Sequence, residues 1–319
     1  MASLTGGSDR RGQLIIVAAI GLAVLLVAMA FTLNTAVFAN IHTAQTDTGV
    51  QEERGVVHYQ HSIERAMGEV LVSINTATEY DTLESDLEDG VAIWHRSARS
   101  EYLRDGVATK VALTDVRYET TVIQNETRTF TTRDGSDSNW TVVETVPEVR
   151  EFVVELSGED LAETNSCEGN DGCAGIEITD GNGDIWQLAA YDDGGVTVTV
   201  ESPTGTTTDF TADSPVEIDV SNGTIDDGTT VQEFTPFSDE MDAPYTVRYT
   251  NPDNASGTYT LTVDGKIVDD TIEADDRYTV DGSPRIEADV ASADLEVGYR
   301  SPALTYETGI QIRRGEGDD

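Results

Sequence analysis

The apolar residues of this chain follow three different patterns from its beginning to its end. Leu14–Leu33 is a continuous run of 20 residues in which only Thr32 is polar. Between Ile63 and about residue 104, apolar residues recur every three to four positions, as on one side of an α-helix. From Val107 onward they alternate with polar residues, which is typical of half-buried antiparallel strands.

The amphipathic region predicts two helices, one ending near Ile74 and one over about residues 82–104, with Gly106 as a stop signal. Each helix has an apolar stripe that needs a cover, either the chain's own sheet or neighbouring subunits. The sheet is the simpler cover. The stripes consist of Ile63, Met67, Val70, Leu71 and Ile74 in the first helix and Leu83, Leu87, Val91, Trp94 and Ala98 in the second.

The alternating region predicts a series of short strands separated by Gly-, Asp- and Asn-rich turns, as in a β-sandwich. The predicted strands are 116–122, 127–132, 140–143, 150–156, 176–179, 185–191, 196–201, 216–220, 245–250, 258–263, 285–290, 295–299 and a last one near 305–312. The loop 157–175 lacks the alternating pattern of a strand and marks a boundary between two β regions.

The continuous apolar run predicts a membrane helix, since 20 residues at 1.5 Å each span about 30 Å. Arg10 and Arg11 precede the run and acidic residues follow it, which predicts a cytoplasmic N-terminus and an extracellular bulk. The alternatives are a secretory signal cleaved at Ala28-Met29-Ala30 and a twin-arginine signal at Arg10-Arg11. We prefer an anchor that remains in the membrane.

The predicted fold class is therefore α+β: an N-terminal transmembrane helix continuing into a helical stalk, followed by an antiparallel, sandwich-like β-rich exterior. The predicted segments are a cytoplasmic leader (1–12), the transmembrane helix (13–40), an extracellular stalk (41–105), a first β region (106–156), a loop with the cysteines (157–175), a β-sandwich-like domain (176–314) and an acidic tail (315–319).

Charge narrows the classes of partner. The chain has 60 acidic and 19 basic residues, a formal net charge of -41, and only two lysines, Lys110 and Lys266. Nucleic acid is excluded as an expected partner, because phosphate binding needs a basic surface. The chain is 38% hydrophobic, so it has the composition of a folded protein rather than a disordered one. A folded, acidic, lysine-poor chain indicates adaptation to high salt.

Arg11-Gly12-Gln13 stands directly before the hydrophobic run, which is followed by Leu33-Asn34-Thr35-Ala36-Val37-Phe38. This beginning resembles that of archaeal archaellins and type IV pilin-like proteins, over about residues 10–42. The resemblance implies cleavage by a prepilin peptidase between Gly12 and Gln13. It also implies assembly with identical or related pilin-like subunits. Val17 departs from the glutamate that bacterial-type pilins have at the fifth mature position.

The two cysteines, Cys167 and Cys173, enclose five residues, and an extracellular location permits a disulfide between them. A metal site is the alternative, although no further Cys or His is nearby in sequence. Asp180, Asn182 and Asp184 place oxygen ligands at alternate positions, like the start of a calcium loop. Ile185 and Tyr191 then break the calcium pattern, so we expect a hairpin turn and keep calcium as a weak candidate.

Four Asn-x-Ser/Thr sequons in the predicted exterior, at Asn125, Asn139, Asn222 and Asn254, are candidates for N-glycosylation. On the first predicted helix, His58, His61 and Glu64 lean to one face, where a solvated surface is a simpler interpretation than a metal cluster. The sequence contains no recognisable catalytic motif, so we expect neither an enzyme nor a cofactor.

Two functions are favoured at this stage over a third, an exported hydrolase that uses some of the many acidic residues. The first is a pilin-like or pseudopilin-like structural protein of the cell surface, anchored in membrane lipid and part of a type IV pilus-type assembly. The second is a monomeric, membrane-tethered, extracellular binding or adhesion module whose function lies in its β-sandwich. Both predict a single-pass protein of the cell membrane.

Overall fold

A computed structural model shows how the strands and helices come together. It describes residues 48–74, 80–135, 139–158, 160–163, 172–267, 276–279 and 282–313, with side chains from Arg54 onward. From Gly55 onward the described residues belong to one compact unit. The predicted leader (1–12), membrane helix (13–40) and acidic tail (315–319) lie outside the described residues.

Two α-helices precede fourteen strands in the described residues. The helices are α1 (Thr48–Ile74) and α2 (Tyr80–Tyr102). The strands are β1 (Ala108–Thr129), β2 (Asn139–Val146), β3 (Val149–Leu156), β4 (Ala174–Thr179), β5 (Ile185–Asp192), β6 (Val196–Glu201), β7 (Thr207–Ala212), β8 (Val216–Asp219), β9 (Thr224–Asp226), β10 (Val231–Glu233), β11 (Tyr245–Thr250), β12 (Ser256–Asp264), β13 (Arg285–Arg300) and β14 (Thr305–Arg313).

The strands form two antiparallel sheets. The first sheet has eight strands in the order β10-β9-β8-β3-β12-β1-β13-β14, and the second has six in the order β2-β11-β4-β5-β6-β7. Strands from the predicted first β region and from the predicted sandwich domain share both sheets, because β1 pairs with β12 and β13, and β2 pairs with β11. The two regions therefore fold together.

The helices and the second sheet cover the same face of the first sheet, at different places along β1. Alternate residues of β1 point to this inner face. Among them, Thr120 meets the Tyr80 hydroxyl of α2 at 2.7 Å. Further along, Gln124 lies opposite Tyr259 of β12, whose ring centroid is 5.3 Å from that of Tyr249 in the second sheet. One long strand thus carries both interfaces.

The helix pair packs as its apolar stripes predict. In α1 the buried residues include Tyr59, Ile63, Met67 and Leu71, and in α2 they include Leu83, Leu87 and Val91. The helices approach closely at Gly90, where an added Cβ would lie 2.7 Å from Cγ1 of Val70. The two predicted helices are confirmed, and so is the end of the first helix at Ile74. Their apolar stripes pack against the chain's own first sheet.

The predicted fold class was wrong. The described chain is mostly antiparallel sheet, and its helices lie against that sheet rather than extending as a stalk. Within the described residues, no helix combines the length and the apolar character needed to cross a membrane. This finding corrects the predicted transmembrane helix and the single-pass membrane location. The amphipathic pattern identified the helices, but the position of a helix depends on what its stripe packs against.

Candidate functional site

A row of polar side chains crosses the outer face of the second sheet. Strand register aligns Arg248 of β11 with Glu177 of β4, Glu177 with Gln187 of β5, and Gln187 with Glu201 of β6. Directly opposed residues in an antiparallel sheet point to the same face, with Cβ atoms about 4.5–5.5 Å apart. Four residues that are distant in sequence are therefore neighbours on one surface.

The adjacent row has a floor of very small residues. Register aligns Thr250, Gly175, Ala189 and Thr199 across β11, β4, β5 and β6. Gly175 is required here, because an added Cβ would lie 2.7 Å from Oγ1 of Thr250 and 2.9 Å from the Leu188 carbonyl oxygen. The missing side chains leave a groove of about 370 Å³, which Glu177, Gln187 and Arg248 also line.

Hydrogen bonds fix the rim of this groove. Asn251 has a left-handed backbone conformation, with φ 44° and ψ 48°. Its backbone N–H donates to Oδ1 of Asn139 at 2.7 Å, and its Nδ2 donates to the Cys173 carbonyl at 3.0 Å. Cys173 is itself buried. The rim is therefore held in place before any ligand arrives.

The charged groups in the groove remain available to a ligand. Arg248 is half-buried and makes no ion pair with any other residue that the structure describes. Glu177 accepts a long hydrogen bond of 3.4 Å from Nε2 of Gln187. A guanidinium, a carboxylate and an amide thus face the same small space, and together they offer both donors and acceptors.

The calcium candidate forms a hairpin turn. Oδ1 of Asp180 accepts hydrogen bonds from the backbone N–H groups of Asn182 at 2.8 Å and Asp184 at 2.9 Å. Burial raises the pKa of the Asp180 carboxyl, but these hydrogen bonds outweigh it, so the pKa lies below its ordinary value. The carboxylate therefore stabilises its own turn. Among the described residues, no cluster of His, Cys, Asp or Glu is arranged to hold a metal ion.

The four sequon asparagines lie in different surroundings. Asn125 is exposed where β1 departs from its register with β12, and Asn139 is part of the groove rim. The amide nitrogen of Asn222 donates to Oδ2 of Asp219 at 2.7 Å, and that of Asn254 donates to the Gly172 carbonyl at 2.6 Å. Glycosylation of these residues stays a prediction.

Other predicted positions fall partly outside the described residues. Arg11, Gly12 and Gln13 lie there, as does Cys167, so the processing site and the Cys167–Cys173 pairing stay predictions. On α1, Nδ1 of His61 lies 3.2 Å from Oε2 of Glu64, and both side chains are largely exposed. This exposed pair is consistent with a solvated helix face.

Sequence reasoning missed the groove because its walls come from strands far apart in the chain. The signal available in the sequence was Gly175 within the strand pattern that precedes Glu177, since a glycine inside a strand often marks a close approach of another group. Comparisons of the chain with protein-family models, with curated proteins and with solved structures find no match.

Proposed function

We propose that this chain is a non-catalytic binding protein, and that the groove beside Gly175 and Ala189 binds a polyhydroxylated ligand such as a carbohydrate. The observation that carries the proposal is the row of Arg248, Glu177 and Gln187 along this floor of small residues. It develops the binding-module interpretation of the sequence without any assumption about a membrane tether.

The chemistry of the groove suits hydroxyl groups. A sugar hydroxyl both donates and accepts a hydrogen bond, and the planar guanidinium, carboxylate and amide can each engage two neighbouring hydroxyls. The volume of about 370 Å³ lies at the small end of the range for ligand sites, which is about 300–1,000 Å³. No aromatic side chain lines the groove, which disfavours a large apolar cofactor.

The lining also favours binding over hydrolysis. Glu177 provides the single carboxylate among the lining residues, whereas glycoside hydrolysis generally uses a pair. Neither serine, cysteine nor histidine is among them, so this groove has no nucleophile and base of the usual kind.

The test is a titration of the purified chain with a panel of neutral and carboxylate-bearing mono- and disaccharides. NMR or calorimetry detects the binding. For a shallow polar site we expect a dissociation constant on the order of 1 mM for the best sugar. Arg248→Met and Glu177→Gln should each weaken binding by about tenfold or more, because each removes charge-assisted hydrogen bonds.

The matched control is Arg117→Met, which removes an exposed arginine from the first sheet, outside the groove. This variant should bind like the unmodified chain. The proposal fails if no sugar in the panel binds, or if the groove variants and the control behave alike.

The pilin-like function stays a prediction. The residues that carry the resemblance, about 10–42, lie outside the described residues.

A further inference from the structure

The two sheets present four strand edges within the described chain: β10 and β14 on the first sheet, and β2 and β7 on the second. The outer side of an edge strand has unpaired backbone groups, which can template the addition of another strand. Folded proteins usually protect such edges by keeping them short, by bulging them or by covering them.

Three of these edges carry a recognisable protection. Strand β10 has only three residues. Strand β2 pairs irregularly with β11, and its Thr145 has a positive φ of 56°. On β7, the carbonyl of Thr211 accepts a hydrogen bond from Nε2 of Gln232 at 3.0 Å.

Strand β14 is neither short nor irregular, and the side-chain hydrogen bond to its backbone comes from within the strand, from Oγ1 of Thr308 to the Gly309 carbonyl at 3.3 Å. It has nine residues and pairs with β13 in unbroken register, from Ser292 opposite Arg313 to Arg300 opposite Thr305. It contains neither proline nor lysine, and its only charged residues are Glu307 and Arg313. It is therefore a long, regular edge without net charge, in a chain whose net charge is -41.

We propose that β14 pairs antiparallel with β14 of a second copy of this chain, about a two-fold axis at Ile310. This register places Glu307 opposite Arg313 of the partner subunit, and the symmetry repeats that ion pair on the other side of the axis. It also places Ile310 opposite Ile310 of the partner subunit. The two sheets then continue as one, and the pairing does not depend on the groove.

Both faces of the new strand pair are chemically matched. Ile310 lies opposite the buried Leu295 of β13, so the two Ile310 side chains extend the inner, apolar face of the sheet. Glu307 and Arg313 alternate with these residues and point to the outer face. Directly opposed residues of opposite charge and opposed apolar residues both stabilise antiparallel pairs.

A second copy is favoured over another partner because the two charges lie at equal distances from Ile310 and have opposite signs. Two copies of such an edge strand are complementary to each other when they pair antiparallel. Elsewhere the strong negative charge of two copies causes repulsion, which salt of about 1 M screens to within roughly 3 Å. The association should therefore be measured at high salt.

The first test uses the full chain with Ile310→Cys. Opposed residues in an antiparallel pair have Cα atoms about 4.5–5.5 Å apart, which is within disulfide range. Mild oxidation should therefore give a covalent dimer on a non-reducing gel. Thr308→Cys is the matched control, because the proposed register separates its two copies by four residues along the strands, beyond disulfide reach. Equal cross-linking of both variants, or of neither, would overturn the proposal.

The second test measures the dimer dissociation constant of the full chain by sedimentation. Glu307→Arg and Arg313→Glu should each raise it by at least about tenfold, since each places like charges opposite one another twice in the dimer. The double variant E307R/R313E restores opposite charges and should restore association. Asp209→Arg on the protected edge β7 should leave the constant unchanged. A monomer at every concentration, or a double variant no better than the single ones, would refute the pairing.

Discussion

The outer faces of the two sheets use their charged residues in opposite ways. On the first sheet, several charges away from the edge strand β14 are paired within the chain: Nζ of Lys110 lies 2.6 Å from Oε2 of Glu296, and Arg150 contacts both Asp264 and Glu119. The hydrogen bond from Arg150 to Asp264 also raises the pKa of the arginine. On the second sheet, Arg248 lies directly opposite Glu177 but forms no ion pair with it or with any other described residue.

The difference supports the proposal that the outer face of the second sheet binds a ligand. Charges that are satisfied within the sheet contribute to stability and leave little for a ligand. Charges beside a floor of small residues, such as Gly175 and Ala189, contribute little to stability and keep their hydrogen-bonding capacity. The inner faces differ as well, because the first sheet carries the helix pair in addition to the second sheet. Stability should therefore depend more on the cover of the first sheet than on the outer face of the second.

The largest expected effect concerns the helix cover. Ile63→Ala and Leu83→Ala each remove a fully buried side chain between the helices and the first sheet, and each should lower the free energy of unfolding by about 2–5 kcal/mol. Val72→Ala on α1 is the control, since Val72 is 59% exposed and its loss should cost no more than about 0.5 kcal/mol. Denaturant unfolding at constant high salt measures all three. Equal losses would show that the helices do not cover the first sheet.

The next effect is a loss of stability in alkali. Burial raises the pKa of Tyr59 from 10.0 to about 12, and burial also raises the pKa of Tyr249 and of Tyr259 well above the ordinary value. Because the pKa of these tyrosines is higher in the folded chain, the unfolded chain loses its tyrosine protons at a lower pH than the folded chain does. The stability from Tyr59 is therefore fully present below pH 10 and is lost between about pH 10 and pH 12.

This loss should amount to at most about 2.7 kcal/mol for Tyr59, and solvent screening reduces it. Tyr59→Phe should flatten the decline of the free energy of unfolding between pH 10 and 12. Below that range the variant should lose only the hydrogen bond to the Lys110 carbonyl. Unfolding curves at several pH values provide the measurement, and an unchanged slope in the variant would contradict the assignment to Tyr59.

The smallest effect compares the two outer faces directly. Arg150→Met should lower the free energy of unfolding by about 0.5–1 kcal/mol, because it breaks partly exposed ion pairs, and high salt should diminish the difference. Arg248→Met makes the same change on the second sheet and should alter stability by less than about 0.5 kcal/mol. If the Arg248 variant were the less stable of the two, the contrast between the faces would be wrong.

Local patterns in the sequence predicted most of the secondary structure. The apolar repeats located α1 and α2, and alternation located strands such as β3, β5 and β12. It missed β7, because Thr207–Ala212 is a mostly exposed edge strand without an alternating apolar pattern. It also divided β13 into two strands, because alternation breaks at Ala293, which lies between two shifts in the register of this one long strand with β1.

The sequence by itself determined the acidic character of this protein, its two amphipathic helices and its alternating strands, because these properties depend on composition and on the spacing of neighbouring residues. Tertiary structure alone decided that the helices lie on the first sheet, that Arg248, Glu177 and Gln187 share one groove, and that β14 is an edge strand of the first sheet among the described residues. The reason is that strand register and sheet order join residues far apart in the chain, and no local period encodes which strand lies beside which.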